Sequence, residues 1–337
     1  MQVTFWILVV VIFIFTYVNG FHDGCNVVAT LIASRSMRPY PALICAAIVE
    51  VISPFAVLAL GSSVSNTLKK LVMESYYTDP QAKNIALAFI TAGILAAIIW
   101  NLVTWVYAIP ASSSHALVGG VVGAGIAAFS SNAICWDYFF TKIVLMIFLT
   151  PAASFLVGYC ILLLLRFFTR NASLRANTFF NYSQWVNMIF LAFNHSFNDS
   201  QKSIGIVMIL IAISGGATNS IPIWVIAAAA ASLSLGILFG GFKIIRTVGT
   251  GIYKVQAIDS FASQLTAGTV IMISSLVGAP VSSSQIVSSS IMGVGSAERY
   301  KAVRWNVAGR ILISWFVTIP IAGLIGIILF YVFSAIF

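Results

Sequence analysis

Charge is scarce in this sequence. Only 7% of its 337 residues are charged, and 8 of these are acidic. A soluble domain of ordinary composition has about a quarter of its residues charged. Hydrophobic residues make up 60% of the chain. The composition therefore excludes a soluble globular protein and indicates a polytopic membrane protein, with room for about ten helical spans of about twenty residues each.

Three further absences narrow the possibilities. The start, Met1-Gln2-Val3, lacks the basic region of a cleavable signal peptide, so we expect the first apolar run to stay in the mature protein. The 4 cysteines lack paired metal-ligand spacing, so we expect no metal site, no cofactor and no disulfide. The net charge of +9 is scattered between apolar segments, which is typical of the positive-inside rule and not of nucleic-acid binding.

The apolar segments and the basic loops alternate along the chain. Placing the basic loops in the cytoplasm puts both termini outside a cell inner (plasma) membrane and gives five spans per half, so the halves have opposite topology. We expect an all-α polytopic membrane protein with two inverted-topology repeats, broken helices and Ser-rich helix starts at mid-membrane. The segments are 3–34, 41–61, 84–109, 112–130, 142–165, 183–213, 222–241, 257–278, 283–295 and 306–335, divided into repeats 1–165 and 183–337 by a short cytoplasmic linker, 166–182.

Two pairs of matching motifs support the duplication. Phe21–Asn26 aligns with Phe197–Lys202, and Pro110–His115 aligns with Pro280–Gln285, at a similar separation of about 170–176 residues. Two matches in the same order are the sequence sign of an inverted repeat, whose binding site lies near the bilayer midplane.

Each half also has a polar stretch inside an apolar segment. In the first half it is Asn19–Asn26, which contains Asp23, and in the second it surrounds Asp199. Because a carboxylate at the bilayer centre costs about 3 kcal/mol, we expect both stretches to be functional. We also expect them to break their helices, with half-helices starting near Cys25 and Gln201.

The two serine motifs predict an anion site. Pro110 and Pro280 should each end a helix, and the serines that follow are favoured helix N-caps. A helix start offers backbone N–H groups and a positive dipole end to an oxyanion, and four such starts suit a small, multiply charged anion such as phosphate. Helix packing is the alternative role for the serines. The expected phosphate ligands are Ser112, Ser113, Ser114, Ser282, Ser283, Ser284, Asn26, Gln201 and Lys202.

The two aspartates require a coupling ion. Asp23 and Asp199 would repel an anion, so they are expected to bind a hard cation such as sodium, or a proton, together with Asn198 and His22. Where the first half has Asn26, the second half has Lys202. We expect the Lys202 ammonium to occupy one cation site permanently, which favours proton coupling, whereas a purely structural Lys202–Asp199 pair is the alternative.

All 3 histidines lie in or next to these motifs. Because histidine titrates near neutral pH, we expect His115 and His195, together with Glu50 in the second segment, to form a proton relay. Asp259 stands at the start of an apolar segment, where it is expected either to cap a helix or to take part in the site.

At these residues the sequence resembles the inorganic phosphate transporter (PiT) family. Gly20–Asn26 is similar to the first family signature. His195–Lys202 is similar to the second, in the Asn-Asp-x-Gln-Lys form of bacterial low-affinity members. Pro110–His115, Pro280–Gln285 and Gly240–Gly249 also match family patterns. The resemblance implies a secondary phosphate symporter with inverted repeats. For the lysine form it further implies a proton as coupling ion and a neutral metal–phosphate complex as alternative substrate.

We therefore expect a secondary transporter that imports phosphate, alone or with a divalent metal, by symport with a proton in preference to sodium. A sodium-coupled phosphate symporter and a permease for sulfate or another oxyanion stay open as alternatives. An intramembrane enzyme is a remote alternative, because neither His-Glu-x-x-His nor Gly-x-Ser-x-Gly occurs. The expected partners are phosphate, the coupling cation and the lipid bilayer, and homo-oligomerisation stays open.

Overall fold

The structure is a computed structural model that describes residues 2–172, 175–240, 245 and 247–337. The described residues form helices and turns, with one isolated bridge between Val72 and Ile134. The longer helices are α1 Gln2–Asp23, α2 Cys25–Ala33, α3 Pro39–Ile52, α4 Ser63–Lys69, α5 Lys83–Val106, α6 Ser113–Phe129, α7 Leu145–Thr169, α8 Arg175–Ile213, α9 Ile223–Leu238, α10 Ala257–Leu276, α11 Ser283–Arg299 and α12 Trp305–Ser334. Short helical turns lie at Ser53–Ala56, Val57–Leu60, Glu74–Tyr77, Pro80–Ala82, Ser131–Ala133, Trp136–Tyr138, Phe139–Val144, Thr247–Gly251 and Tyr300–Ala302.

The helices coincide with the apolar segments, which confirms the all-α membrane class. Among the described residues, 5 helical stretches are long and apolar enough to cross a membrane. The helices α6 and α11 have 17 residues each. At 1.5 Å per residue they are about 25 Å long, which is shorter than the hydrocarbon core of about 30 Å.

The two predicted breaks have different outcomes: a helix begins at Cys25, as the sequence predicts, whereas the predicted break near Gln201 is wrong. The helix α8 runs without interruption for 39 residues through Asn198 and Gln201. Its polar stretch contains neither glycine nor proline, and Asp199 pairs with Lys202 three residues later instead of competing for backbone groups. In the first half, Gly24 alone separates α1 from α2. It keeps helical dihedrals (φ −60°, ψ −24°) and its N–H donates to the Gly20 carbonyl at 3.0 Å.

Two predicted loops are also more structured than expected. The helix α7 continues to Thr169 and α8 begins at Arg175, so the connection is shorter than the linker 166–182. The stretch 62–83, between the second and third apolar segments, contains α4, whose Val64 and Leu68 are buried. The family pattern Gly240–Gly249 falls partly on residues 241–244 and 246, which lie outside the described residues.

Helices from opposite halves pack in close pairs. The helix α6 lies against α12, and α7 lies against α11. Gly123 and Gly323 face each other across the α6–α12 contact, where a Cβ on Gly123 would collide with the Gly323 backbone. The helix α1 crosses α9 in the same way, and a Cβ on Gly20 would collide with the Leu233 carbonyl. Small residues at such crossings let membrane helices approach closely.

Two apolar clusters enclose a polar layer. One cluster contains the beginning of α1, the end of α8, and residues of α5 and α6. The other contains α2, the middle of α8 before Asn194, and residues of α10 and α11. The polar stretches of α1 and α8 lie between the clusters and are buried. The signature stretches of the two halves therefore lie in one polar layer between these clusters, and a third, smaller cluster lies around Leu162, Phe180 and Ile258.

Candidate functional site

The two serine motifs begin helices, as the sequence predicts. The helix α5 ends at Val106, before Pro110. The Ser112 side chain then caps α6 by accepting a hydrogen bond from the His115 N–H at 3.1 Å. In the second half, the Ser282 side chain accepts from the Gln285 N–H at 3.3 Å and caps α11. Each cap satisfies one orphan donor of its helix start and leaves the neighbouring N–H groups and the dipole end available.

The two helix starts meet through reciprocal hydrogen bonds. Ser114 donates to the Val281 carbonyl at 2.8 Å. Ser284 donates to the Ala111 carbonyl at 2.9 Å. Each serine motif thus donates to the carbonyl of the residue just before the serines of the other motif. The starts of α6 and α11 therefore lie together in the polar layer. The predicted break near Gln201 is absent, so no helix start from α8 joins them.

Lys202 reaches this junction from α8. Its Nζ contacts the Asp199 Oδ1 and the Ser114 Oγ, and it donates to the Val281 carbonyl at 3.2 Å. The Lys202 side chain is 1% exposed. Its three partners are a carboxylate, a hydroxyl and a carbonyl, which are the oxygen ligands that hard cations prefer.

The carboxylate of Asp199 belongs to a longer buried chain of polar groups. Asn19 on α1 donates to Asp199 Oδ2 at 3.1 Å. The His195 Nε2 lies 3.4 Å from the same oxygen. On the other side of its ring, His195 Nδ1 lies 2.8 Å from Glu50 Oε1 on α3. Glu50, His195 and Asp199 are all at most 1% exposed. They lie in a row that ends at Lys202, and the His195 Nε2 is close to Asp199 without a hydrogen bond to it.

Asp23 occupies the corresponding place in the first half. His22 Nδ1 lies 3.0 Å from Asp23 Oδ1, and His22 Nε2 lies 3.2 Å from the Thr104 hydroxyl on α5. The Ser113 hydroxyl, at the start of α6, is buried and has no hydrogen-bond partner among the described residues. The ammonium of Lys202 interacts with the charge of Asp23. Both aspartates are therefore close to the serine motifs, as the sequence predicts.

Several buried polar atoms in this layer have no protein partner among the described residues. This group contains both side-chain amide atoms of Asn26 and of Gln285, the Ser283 hydroxyl and His115 Nδ1. Because buried polar groups in proteins are almost always hydrogen-bonded, their grouping next to the helix starts indicates donors and acceptors for a polar ligand.

The structure does not bring all predicted residues to this junction. Gln201 uses its amide oxygen to accept from the Val64 N–H at 3.0 Å and its nitrogen to donate to the Phe197 carbonyl, so it fixes the start of α4. Asn198 donates to Ser275 at 2.8 Å and to the Ala279 carbonyl at 3.3 Å. Its amide oxygen alone has no partner. An amide nitrogen carries two N–H groups, so Gln201 keeps one donor that is not used within the protein.

Two other residues of the layer were missed by sequence reasoning. Thr104 contacts His22 of the first signature stretch, and Asn101 on α5 is fully buried with both amide atoms unpartnered in the described structure. The sequence signal that could have identified Asn101 is its position as a polar residue inside the apolar run 94–103. The sequence left the role of Asp259 open between a helix cap and a part in the site. In the structure its carboxylate caps α10 by accepting from the Gln256 N–H at 2.9 Å.

The site offers oxygen ligands in place of a classical metal cluster. Within the described ranges, no group of three or more His, Cys, Asp and Glu side chains could hold a metal ion. A hard monovalent cation would instead take carboxylate, hydroxyl, amide and carbonyl oxygens, such as those around Asp23 and Asn26.

Comparisons with known proteins agree with this geometry. The sequence profile of the phosphate transporter family matches residues 19–326. A protein of Bacillus subtilis named "Probable low-affinity inorganic phosphate transporter" is 34% identical over 98% of this chain and 97% of its own length. A Rhizobium meliloti protein of the same name is also 34% identical, over 96% of this chain and 95% of its own. A solved structure titled "The sodium-dependent phosphate transporter" covers 100% of both chains with a TM-score of 0.87 at 21% identity, which shows the shared fold.

Proposed function

This chain belongs to the phosphate transporter (PiT) family, and on that premise we propose that it imports inorganic phosphate by symport with a cation, with a proton favoured over sodium. Family membership makes the chain a multi-pass membrane transporter of phosphate and confirms that it is not an enzyme. We further propose that it lies in the plasma membrane with both termini outside.

The surroundings of Lys202 carry the proposal for the coupling ion. Its ammonium lies among the oxygens of Asp199, Ser114 and Val281, where a sodium ion would find suitable ligands. A covalently attached ammonium cannot be exchanged with a gradient. One cation position is therefore filled in every state, and fewer positions are left for sodium.

Charge balance in the layer supports symport. Asp23, Asp199 and Glu50 can bear three negative charges. Lys202 bears one positive charge, and His22 and His195 beside these carboxylates add one each when protonated. A phosphate dianion entering this layer adds further negative charge in a medium of low dielectric constant, where unpaired charges are costly. Protons or cations that enter with it lower this cost. A neutral metal–phosphate complex would lower the same cost, and it is part of the proposal as an alternative form of the substrate.

The junction of α6 and α11 supports phosphate binding. Two helix starts and the unpartnered groups of Ser283, Asn26 and Gln285 present donors to a tetrahedral anion. The hydrogen bonds of Ser114 and Ser284 to the opposite motif also support the proposed division into two inverted repeats, 1–165 and 183–337.

We propose that Glu50, His195 and Asp199 conduct the coupling proton. These groups connect α3 to Lys202 through separations of 2.8 Å and 3.4 Å. His115 lies at the start of α6 and is a proton acceptor nearer to the anion.

Sodium coupling is the second candidate, and the first half of the chain favours it. The first half has Asn26 at the position where the second half has Lys202. The amide of Asn26 makes no hydrogen bond in the described structure. A sodium ion could take the oxygens of Asp23 and Asn26.

Uptake driven by one gradient at a time tests the proposal. The purified protein is placed in proteoliposomes and labelled phosphate uptake is measured with a proton gradient alone, then with a sodium gradient alone. We expect the proton gradient to drive accumulation. Accumulation that follows only the sodium gradient would establish the second candidate.

Competition tests the substrate. Arsenate has the shape and charge of phosphate, so it should compete with labelled phosphate, whereas sulfate should compete weakly. Inhibition by sulfate without inhibition by arsenate would contradict phosphate as substrate. Repeating the uptake with and without magnesium distinguishes free phosphate from the metal–phosphate complex.

A further inference from the structure

A deep cleft lies on the side of the molecule, between the end of α5 and the first half of α12. Its volume is about 670 Å³, and its walls include Trp100, Tyr107, Arg310, Ile313 and Val317. Several of these apolar side chains are exposed, with Tyr107 at 71% and Ile313 at 64%. In a membrane protein such exposed apolar side chains face lipid.

The cleft has the length of one membrane leaflet. It extends along α12 from Val307 to Val317, which is about 15 Å at 1.5 Å per residue. The hydrocarbon region of one leaflet is also about 15 Å thick. The start of α12 carries an aromatic pair, Tyr300 and Trp305, with ring centroids 4.8 Å apart. Such aromatic residues mark the headgroup level of a membrane.

Arg310 stands at the headgroup end of the cleft. It lies five residues after Trp305, so its backbone is about 8 Å further into the membrane, and its long side chain can extend back towards the headgroups. Among the described residues it makes no ion pair or hydrogen bond. By contrast, Arg166 pairs with Glu298 at 2.6 Å, and Arg304 donates to the Thr250 carbonyl at 3.4 Å.

A second cation of the chain, Lys142, differs from Arg310 in having a protein partner. Lys142 lies just before α7 and donates to the carbonyl of Val277, just after α10, at 3.1 Å. The Lys142 ammonium therefore has a partner within the protein. The Arg310 guanidinium, beside α5, faces an apolar cleft, where an arginine without an anion is costly.

We propose that this cleft binds one anionic phospholipid, with the lipid phosphate on Arg310 and an acyl chain along α12 towards Val317. Arginine binds phosphate groups in bidentate fashion, and basic pockets between membrane helices bind anionic headgroups. Inorganic phosphate would satisfy Arg310 equally well, but it would leave the apolar walls at Trp100 and Val317 uncovered. The lipid satisfies both the charge and the walls.

Binding at this cleft reaches the transport site through two contacts. Thr104 lines the cleft and is hydrogen-bonded to His22 at 3.2 Å. Ser314, also in the wall, contacts the Pro110 carbonyl at 3.5 Å. An anionic lipid in the cleft therefore stabilises the region from which α6 begins.

Native mass spectrometry of the full chain, purified with phosphatidylglycerol and phosphatidylcholine, tests the proposal. We expect one phosphatidylglycerol to stay bound to the unmodified protein. Arg310→Gln removes the charge and should weaken lipid binding about five-fold. Val317→Trp keeps the charge but fills the deep end of the cleft, and it should also release the lipid.

Two matched variants serve as controls. Arg299→Gln removes an exposed arginine at the same end of the molecule, and Ile328→Trp enlarges an exposed residue of α12 outside the cleft. Both should keep the lipid. The melting temperature of each variant identifies a folding defect, and the two cleft variants alter the site by independent means.

Three results would overturn the proposal. The lipid could be retained in both Arg310→Gln and Val317→Trp. Millimolar inorganic phosphate could displace it from the unmodified protein, which would assign Arg310 to the phosphate route. Finally, the two cleft variants could change the proportion of dimer and not lipid binding, which would assign the cleft to a second copy of the chain.

Discussion

At the scale of single residues, Lys202 connects three parts of the chain. Its ammonium contacts Asp199 on its own helix, Ser114 at the start of α6 and the Val281 carbonyl before α11. The simple Lys202–Asp199 pair that was weighed as a structural role is present, but it accounts for only one of these contacts. The other two connect the lysine to both serine motifs.

Replacing Lys202 tests whether it substitutes for a cation. Lys202→Asn removes the ammonium and adds an oxygen ligand, so we expect sodium to stimulate phosphate uptake at least several-fold. Lys202→Met removes the ammonium without adding a ligand and should lose uptake without gaining sodium dependence. Measuring uptake against sodium concentration compares the two variants, and an unchanged ion profile in Lys202→Asn would refute this role.

Asp23→Asn tests the acidic residue of the first half. The substitution keeps the size of the side chain but removes its charge, so gradient-driven uptake should be lost while the melting temperature changes little. Asp199→Asn is the comparison. It leaves the buried Lys202 without its carboxylate, which costs about 3–5 kcal/mol, so its melting temperature should be clearly lower. Normal accumulation by the Asp23→Asn protein would contradict its part in coupling.

Ser283→Ala tests the anion site. The Ser283 hydroxyl has no protein partner among the described residues, so its removal should not destabilise the fold. A lost hydrogen bond to a charged ligand corresponds to about a ten-fold rise in the KM for phosphate. Ser334→Ala, at the end of α12, is the control. A KM equal in both variants would show that Ser283 does not bind phosphate.

At the scale of helices, close crossings hold the layer together. The helices α6 and α11 begin in the polar layer, and each packs along a helix of the other half, α12 or α7. The helix α1 crosses α9 at Gly20, close to His22 and Asp23. The position of Asp23 therefore depends on the distance between these two helices.

Gly20→Ala tests this dependence. The added methyl group meets the backbone of Leu233, so α1 and α9 must separate, at a cost of about 1–3 kcal/mol. We expect a lower melting temperature and reduced uptake. Gly309→Ala on α12 is the matched control, because a Cβ there meets no atom within 4 Å. Equal melting temperatures in the two variants would show that the crossing tolerates a larger residue.

At the scale of the whole molecule, two apolar clusters separate the polar layer from both ends. Two clefts at the ends are lined in part by polar and charged side chains. One is lined by Arg35, Asn181 and Lys254, and another by Asn66, Lys69 and Asn219. Phosphate moving between the ends must therefore cross one cluster at a time, which requires the helix pairs to rearrange.

The proposed orientation of the chain can be tested by labelling. In a chain whose 4 cysteines have been replaced, Ser131→Cys should react with a membrane-impermeant thiol reagent in intact cells. Lys301→Cys should react only after the membrane is opened, because basic loops stay in the cytoplasm. Labelling in the opposite order would reverse the proposed topology.

The sequence by itself determined the helices and their caps. Segment positions follow from hydropathy, and the caps at Ser112 and Ser282 follow from a proline and a serine a few residues apart. These properties depend on neighbouring residues, so they can be read from a short window. The family resemblance rests on the same local motifs, and the comparisons confirm it.

The tertiary structure decided which of these residues share a site. The sequence predicted Gln201 as a phosphate ligand, and the structure adds a contact with Val64, 137 residues away, that fixes the start of α4. It also predicted a broken α8, which stays intact because partners such as Asn19, 180 residues from Asp199, satisfy the polar side chains. Lys202 meets Ser114 across 88 residues. Such contacts depend on how helices pack, and packing is set by the whole chain at once.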